Sequence, residues 1–165
     1  MLAEGTFEPV WKACLDQDMA VAVWNRGGAA IMEPVLKKYP NLTYIIDHFA
    51  WATPGPEREA KVQVMESLAR YRNVHVKVSS LPLVSGSTPP EYEDLHPLIK
   101  RVHAAYGAER LRWGSDQTQT MGKNRGTYAQ NADIIRKYAA VYLPAADVQQ
   151  MMHGTATRVF KWPVE

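Results

Sequence analysis

With 165 residues, 46% of them hydrophobic and 22% charged, the chain is long enough for one domain with a real core and has the make-up of a soluble globular fold. A net charge of +2 with no basic block gives no support for binding nucleic acid or a membrane surface, and no apolar run approaches the roughly 18 residues of a membrane span. The single Cys14 excludes an internal disulfide framework and a cysteine-based zinc site, and the first residues lack the layout of a signal peptide, so a reducing cytoplasm is expected.

Residues 7–18 read as a helix with an apolar stripe at Phe7, Val10, Trp11, Cys14 and Leu15. Thr6 suits its N-cap, Pro9 its first turn, and Cys14 a small core position. Residues 19–24 are nearly continuously apolar, as in a strand buried on both faces. A break at 25–28 leads to a helix over 29–39, closed by Pro40 and Asn41. The second strand covers 42–46 and ends at Asp47 and His48, followed by a loop with Phe49 and Trp51. Residues 57–71 form a long helix with acids early and arginines late. A strictly alternating third strand, 73–78, leads to Ser79 and Ser80 and a Ser/Gly/Pro loop. A helix over 91–106 stops at Gly107, and the fourth strand spans 111–114. A polar loop to Gly126, a helix over 127–141, one opened by Pro144, and a short one over 154–160 complete the chain.

Strands alternating with helices imply an α/β fold with a parallel sheet and right-handed crossovers. Closing a barrel takes about eight parallel strands, so four make either a small open α/β domain or half of a barrel.

In a parallel sheet, ligands and chemistry gather at the carboxyl ends of the strands. There the chain offers Asp116, after Leu111-Arg112-Trp113-Gly114-Ser115, and His48, after Tyr44-Ile45-Ile46-Asp47. Alternation places Asp116 with Gly114 and Arg112, opposite the apolar Leu111 and Trp113. On the third strand it leaves His75, Lys77 and Ser79 on the polar face, and on the second it groups His48 with Tyr44 and Ile46. A carboxylate that takes a proton from water, beside an imidazole that polarises a carbonyl, permits hydrolysis; a lysine on the same face suits an anionic substrate group. The same residues also admit purely structural roles: Asp116 capping a turn, His48 hydrogen-bonded at a strand end, Lys77 bridging a carboxylate, Trp51 packing. His96 and His103 lie seven apart on one helix face, as surface or boundary residues.

These segments resemble the amidohydrolase-related family of TIM-barrel hydrolases, which includes lactonase and decarboxylase branches. The resemblance is carried by residues 39–48, 73–79, 107–116 and 151–160, with Glu109-Arg110-Leu111 followed by Gly114-Ser115-Asp116 its most specific part. It implies that the four strands correspond to barrel strands five to eight, and that the chain is a single domain over 1–165 lacking its N-terminal half. By the same resemblance Asp116 activates the hydrolytic water or binds metal, His48 binds or orients the substrate carbonyl, and Lys77 and Ser79 match a Lys-x-Ser pattern. Asn25 is the polar residue nearest the fifth-strand position where metal-binding branches carry a histidine, and the family's first-strand His-x-His pair is absent. The resemblance therefore points to the lactonase branch: metal-independent hydrolysis of a small anionic organic acid lactone or a sugar lactone. Asp116 and His48 would be ligands only if one divalent metal such as zinc is present. The substrate-contacting set is Lys77, Ser79, Asn25 and Trp51. Alternatives are a zinc-dependent decarboxylase on the same scaffold, or an inactive half-barrel that needs a partner, a second copy being one candidate through the open sheet.

Overall fold

The structure is a computed structural model that describes residues 5–24, 29–120 and 125–163. Strands β1 (Val21–Val23), β2 (Tyr44–Ile46), β3 (Val74–Ser79) and β4 (Leu111–Gly114) form one parallel sheet in the order β1-β2-β3-β4. The register aligns Val23 with Ile46, Ile46 with Val76, and Val76 with Leu111. This row belongs to the apolar face, which joins Val62, Met65 and Leu68 of one helix and Ile99 and Val102 of another in a single core. Val62, Met65 and Leu68 recur every three residues and lie on one side of their helix, Arg58–Leu68, which explains why that segment docks as it does. The opposite face carries Ile45 level with His75, and Lys77 level with Arg112.

Several elements depart from expectation, each for a local reason. The first helix is Glu8–Asp16, with Phe7 at its N-cap position and no side-chain cap, so Thr6 does not cap it. Trp11 is buried and Val10 exposed, which narrows the expected stripe. β1 is not buried on both faces. It is an outer strand with Ala22 exposed, flanked by Met19 and Trp24 at 57% and 47% exposure. The segment 29–39 divides into a 3-10 turn, Ala29–Met32, and a helix, Glu33–Lys38, that restarts around Pro34. The helix Tyr128–Asp133 begins with a capping box between Thr127 and Gln130, then widens into a π turn, Ile134–Tyr138. Two helices expected after Pro144 are one continuous run: Ala145–Gln149, a π turn Gln150–Gly154, and Thr155–Val159. Buried Thr155 ties that run to the 3-10 turn before β4, Ala108–Arg110, by donating to the Ala108 carbonyl at 2.9 Å.

The Ser/Gly/Pro loop after β3 is held by Asp94. Its carboxylate accepts from the Gly86 amide (2.8 Å), Ser87 Oγ (2.6 Å), Ser85 Oγ and Arg58 Nη1 (2.7 Å). Burial alone would raise the Asp94 pKa, but these donors hold it well below the usual carboxylate range.

On β3, His75 is buried and its pKa is pushed down to about 4, by burial first and then by the charges of Arg158, Arg112 and Arg110. An unfolded histidine titrates near about 6.5. Protonation between these values therefore favours the unfolded chain. We expect stability to fall as pH drops from about 6.5 to about 4 and this loss to level off below, with His75→Leu removing that limb. Urea unfolding at a series of pH values measures it. Asp94→Asn should cost about 1–3 kcal/mol at neutral pH by removing the charge that its part-buried donors, Arg58 among them, point at, read from the urea midpoint.

Candidate active site

The functional groups sit where three strands end, and each needs a backbone that few side chains adopt. After β2 the chain makes a left-handed turn: φ is 49° at His48, 53° at Phe49, 53° at Ala50 and 54° at Trp51. Such a conformation costs roughly 1–2 kcal/mol per residue without glycine. It persists only when the surroundings over-determine it. Here Phe49, fully buried, and Ala50 anchor the turn in the core. The turn reverses the expected side-chain direction. Simple alternation groups His48 with Tyr44 and Ile46, which face the apolar core. The left-handed turn instead swings its ring to the polar face, beside Ser79. Ser80 after β3 (φ 55°) and Asp116 after β4 (φ 48°) are left-handed too.

These three residues meet. Ser80 donates its hydroxyl proton to Asp116 Oδ2, and its oxygen lies 2.7 Å from His48 Nδ1. Ser79 Oγ is a second neighbour of Nδ1, at 3.0 Å. Asp116 Oδ2 is 3.7 Å from Nδ1, and Asp47 Oδ2 is 3.5 Å from Nε2. Both serines are fully buried. In a nucleophilic triad the imidazole stands between hydroxyl and carboxylate. Here the hydroxyl stands between imidazole and carboxylate, so Ser80 is not placed to attack a substrate. Asp116 does begin a short helix, Gln117–Thr120, but through its backbone carbonyl, which accepts from the Gln119 and Thr120 amides at 2.9 Å. Its side chain is thereby left for the cluster.

Beside the cluster lies an open cleft of about 340 Å³ lined by Trp24, His48, Trp51, Leu83, Asp116, Thr118 and Gln119. The rings of Trp24, Trp51 and His48 stand edge-on to one another, with centroids 5.6–6.2 Å apart. Of the residues expected at the site, the structure thus brings together Asp116, His48, Ser79 and Trp51. Ser79 contacts His48 rather than the cleft. Lys77 is on the expected face, but its ammonium pairs with Asp47 Oδ1 at 3.0 Å and does not line the cleft. Asn25 lies outside the described residues. Sequence reasoning missed Ser80, Asp47, Trp24, Thr118 and Gln119. The Ser79-Ser80 doublet was a readable signal for the first of these.

Among the described residues, no group of three or more His, Cys, Asp or Glu side chains could hold a metal ion. His48 and Asp116 supply two donors, one short of the three protein ligands of a catalytic zinc, and Nδ1 already faces Ser80. The residues present do not make a complete metal site, and no step below uses one.

A family model described as amidohydrolase matches residues 2–162. The chain belongs to the amidohydrolase family. It is 36% identical over 112 residues to the L-fucono-1,5-lactonase of Burkholderia ambifaria, a match that covers 66% of this chain and 38% of the lactonase. It superposes with a TM-score of 0.80, at 18% identity, on the crystal structure of an amidohydrolase from Burkholderia multivorans with bound HEPES, covering 98% of this chain and 60% of that one. Another structure of an amidohydrolase from that organism holds zinc. A Pseudomonas putida protein described as a 2-pyrone-4,6-dicarboxylic acid hydrolase superposes with a TM-score of 0.74 at 26% identity, covering 99% of this chain and 59% of that one. These amidohydrolase neighbours are TIM barrels, and the four parallel strands make the fold the half-barrel expected. The match thus covers well under half of the lactonase, and the chain about three fifths of the solved structures.

The amidohydrolase chain's left-handed turn makes a direct prediction. Phe49→Ala removes its buried anchor and should destabilise the protein by about 3–5 kcal/mol in urea unfolding.

Proposed function

We propose that this amidohydrolase half-barrel carries the hydrolytic groups of a lactonase acting on a sugar-acid lactone. The observation that carries the reading is the Asp116–Ser80–His48 cluster opening onto a cleft walled by two tryptophans. The likeness to L-fucono-1,5-lactonase supports it.

Asp116 Oδ2 is engaged by Ser80, so Oδ1 is the oxygen left to accept a proton from water. The resulting hydroxide attacks the lactone carbonyl. His48, with Nδ1–H directed at Ser80, lines the cleft beside Asp116 and orients the lactone there. When the ring C–O bond breaks, the leaving oxygen takes the proton from Asp116 and the product is the open hydroxy acid. General-base catalysis of this kind contributes about 10²–10⁴-fold.

The sequence suggested an anionic substrate through Lys77. With that ammonium paired to Asp47, and no lysine or arginine among the described residues lining the cleft, a neutral hydroxylated ring fits better. Its apolar face would lie on Trp24 and Trp51 and its hydroxyls against Thr118 and Gln119. The chain supplies one half of the barrel in this reading, and the other four βα units complete the site.

The test is turnover of a panel of neutral and anionic lactones by the chain, alone and fused to the remaining portion of the L-fucono-1,5-lactonase. We expect hydrolysis of neutral sugar lactones, and a loss of about 10²–10⁴-fold in kcat for Asp116→Asn with the fold retained. Equal rates for Asp116→Asn and the unsubstituted protein would remove Asp116 from the mechanism.

A further inference from the structure

We propose that Ser80 is the positioning residue of this site, fixing both the free oxygen of Asp116 and the tautomer of His48. Its kinetic consequence rests on the lactone-hydrolysis reading; its structural consequence does not.

The available protons decide both orientations. A serine hydroxyl has one proton to give and lone pairs to accept with, while an ionised carboxylate only accepts. The contact to Asp116 Oδ2 therefore consumes the Ser80 proton. The Ser80 oxygen, 2.7 Å from His48 Nδ1, can then only accept, so the proton of that bond belongs to Nδ1. One hydroxyl thus sets two orientations at once. It holds Asp116 by Oδ2, presenting Oδ1 to water, and it holds the imidazole by Nδ1, with Nε2 on the side of Asp47 Oδ2 at 3.5 Å. Neither assignment comes from solvent, because Ser80 is fully buried. Ser79 approaches the same nitrogen at 3.0 Å, but no contact joins its hydroxyl to Asp116, so it does not couple the two groups.

The backbone supports the assignment. Ser80 holds φ at 55°, a conformation in which glycine costs least. The serine side chain therefore sits on a backbone that glycine would adopt at lower cost. This also provides a clean variant. Ser80→Gly deletes the hydroxyl and suits the local backbone, so loss of the link is separated from loss of the fold.

The experiment records imidazole ¹⁵N spectra of the uniformly labelled chain near neutral pH, with the His48 signals assigned by their disappearance in His48→Gln. We expect Nδ1 of His48 to be protonated in the unsubstituted protein and the ring to shift toward the Nε2–H form in Ser80→Gly. Ser79→Ala should leave the Nδ1 proton in place. An identical His48 tautomer in the unsubstituted and Ser80→Gly proteins overturns the proposal, and so does an equal shift in Ser79→Ala. With a lactone that the unsubstituted protein hydrolyses, Ser80→Gly should lower kcat about 10–100-fold and leave KM within about threefold. An unchanged kcat overturns the positioning role. A protein that hydrolyses no lactone would sink the lactone reading alone, since the tautomer measurement needs no turnover and decides the Ser80 assignment by itself.

Discussion

Strand alternation controls which groups a parallel sheet can present, and at this rim the chain departs from it at His48 and Ser80. Within β3 and β4 the rule holds: Lys77 lies level with Arg112 and Ser79 with Gly114, on the face opposite the valines. Gly114 has no side chain there, and a β-carbon would meet Lys77 Cε at 3.2 Å. Beyond the strands, His48, Ser80 and Asp116 each take positive φ. The site depends on that shared left-handed backbone. Without it His48 would continue with Tyr44 and Ile46 into the apolar layer. The conformational cost is met by burial of Phe49 and Ala50, and by hydrogen bonds that anchor the segment after Asp116.

The network of charges around the cluster is closed as well as close. Asp47 stands between Lys77 and the outer nitrogen of His48, and Asp116 lies on the other side of the ring. A lysine that on its own would attract anions is thereby compensated, leaving the tryptophans and neutral polar side chains to define what the cleft receives. Arg112, buried on the same face nearer the start of the strands, lies over the Phe160 ring at 4.7 Å, and burial pushes its pKa down to about 10. That cation belongs to the packing of the sheet's lower end rather than to the rim.

Much of this was legible in the sequence where one rule acts alone. The alternation of residues 73–78 and the Gly-Ser-Asp after Trp113 located β3, β4 and Asp116, because regular strands have only two side-chain directions. His48 was found for its place at a strand end and lies beside Ser79 and Asp116 as expected, but not with Tyr44 and Ile46, since nothing in Asp47-His48-Phe49 announces a run of left-handed residues without glycine. Ser80 escaped because alternation assigns it to the face away from Ser79. Lys77 was placed on the right face, and of its two sequence-level readings the structure shows the carboxylate pairing, with an Asp47 just past the end of β2 that sequence spacing does not single out. β1 looked doubly buried from its apolar run, but burial depends on neighbours that a strand at the border of a sheet lacks.

That border has a consequence of its own. An outer strand offers unpaired amides on which a foreign strand can template, the usual route to edge-to-edge aggregation. β1 is three residues long and β4 four, so each border presents few such groups. In a half-barrel these two borders are also where the strands of the other half would pair, so the groups that invite a foreign strand are the ones that barrel closure would use.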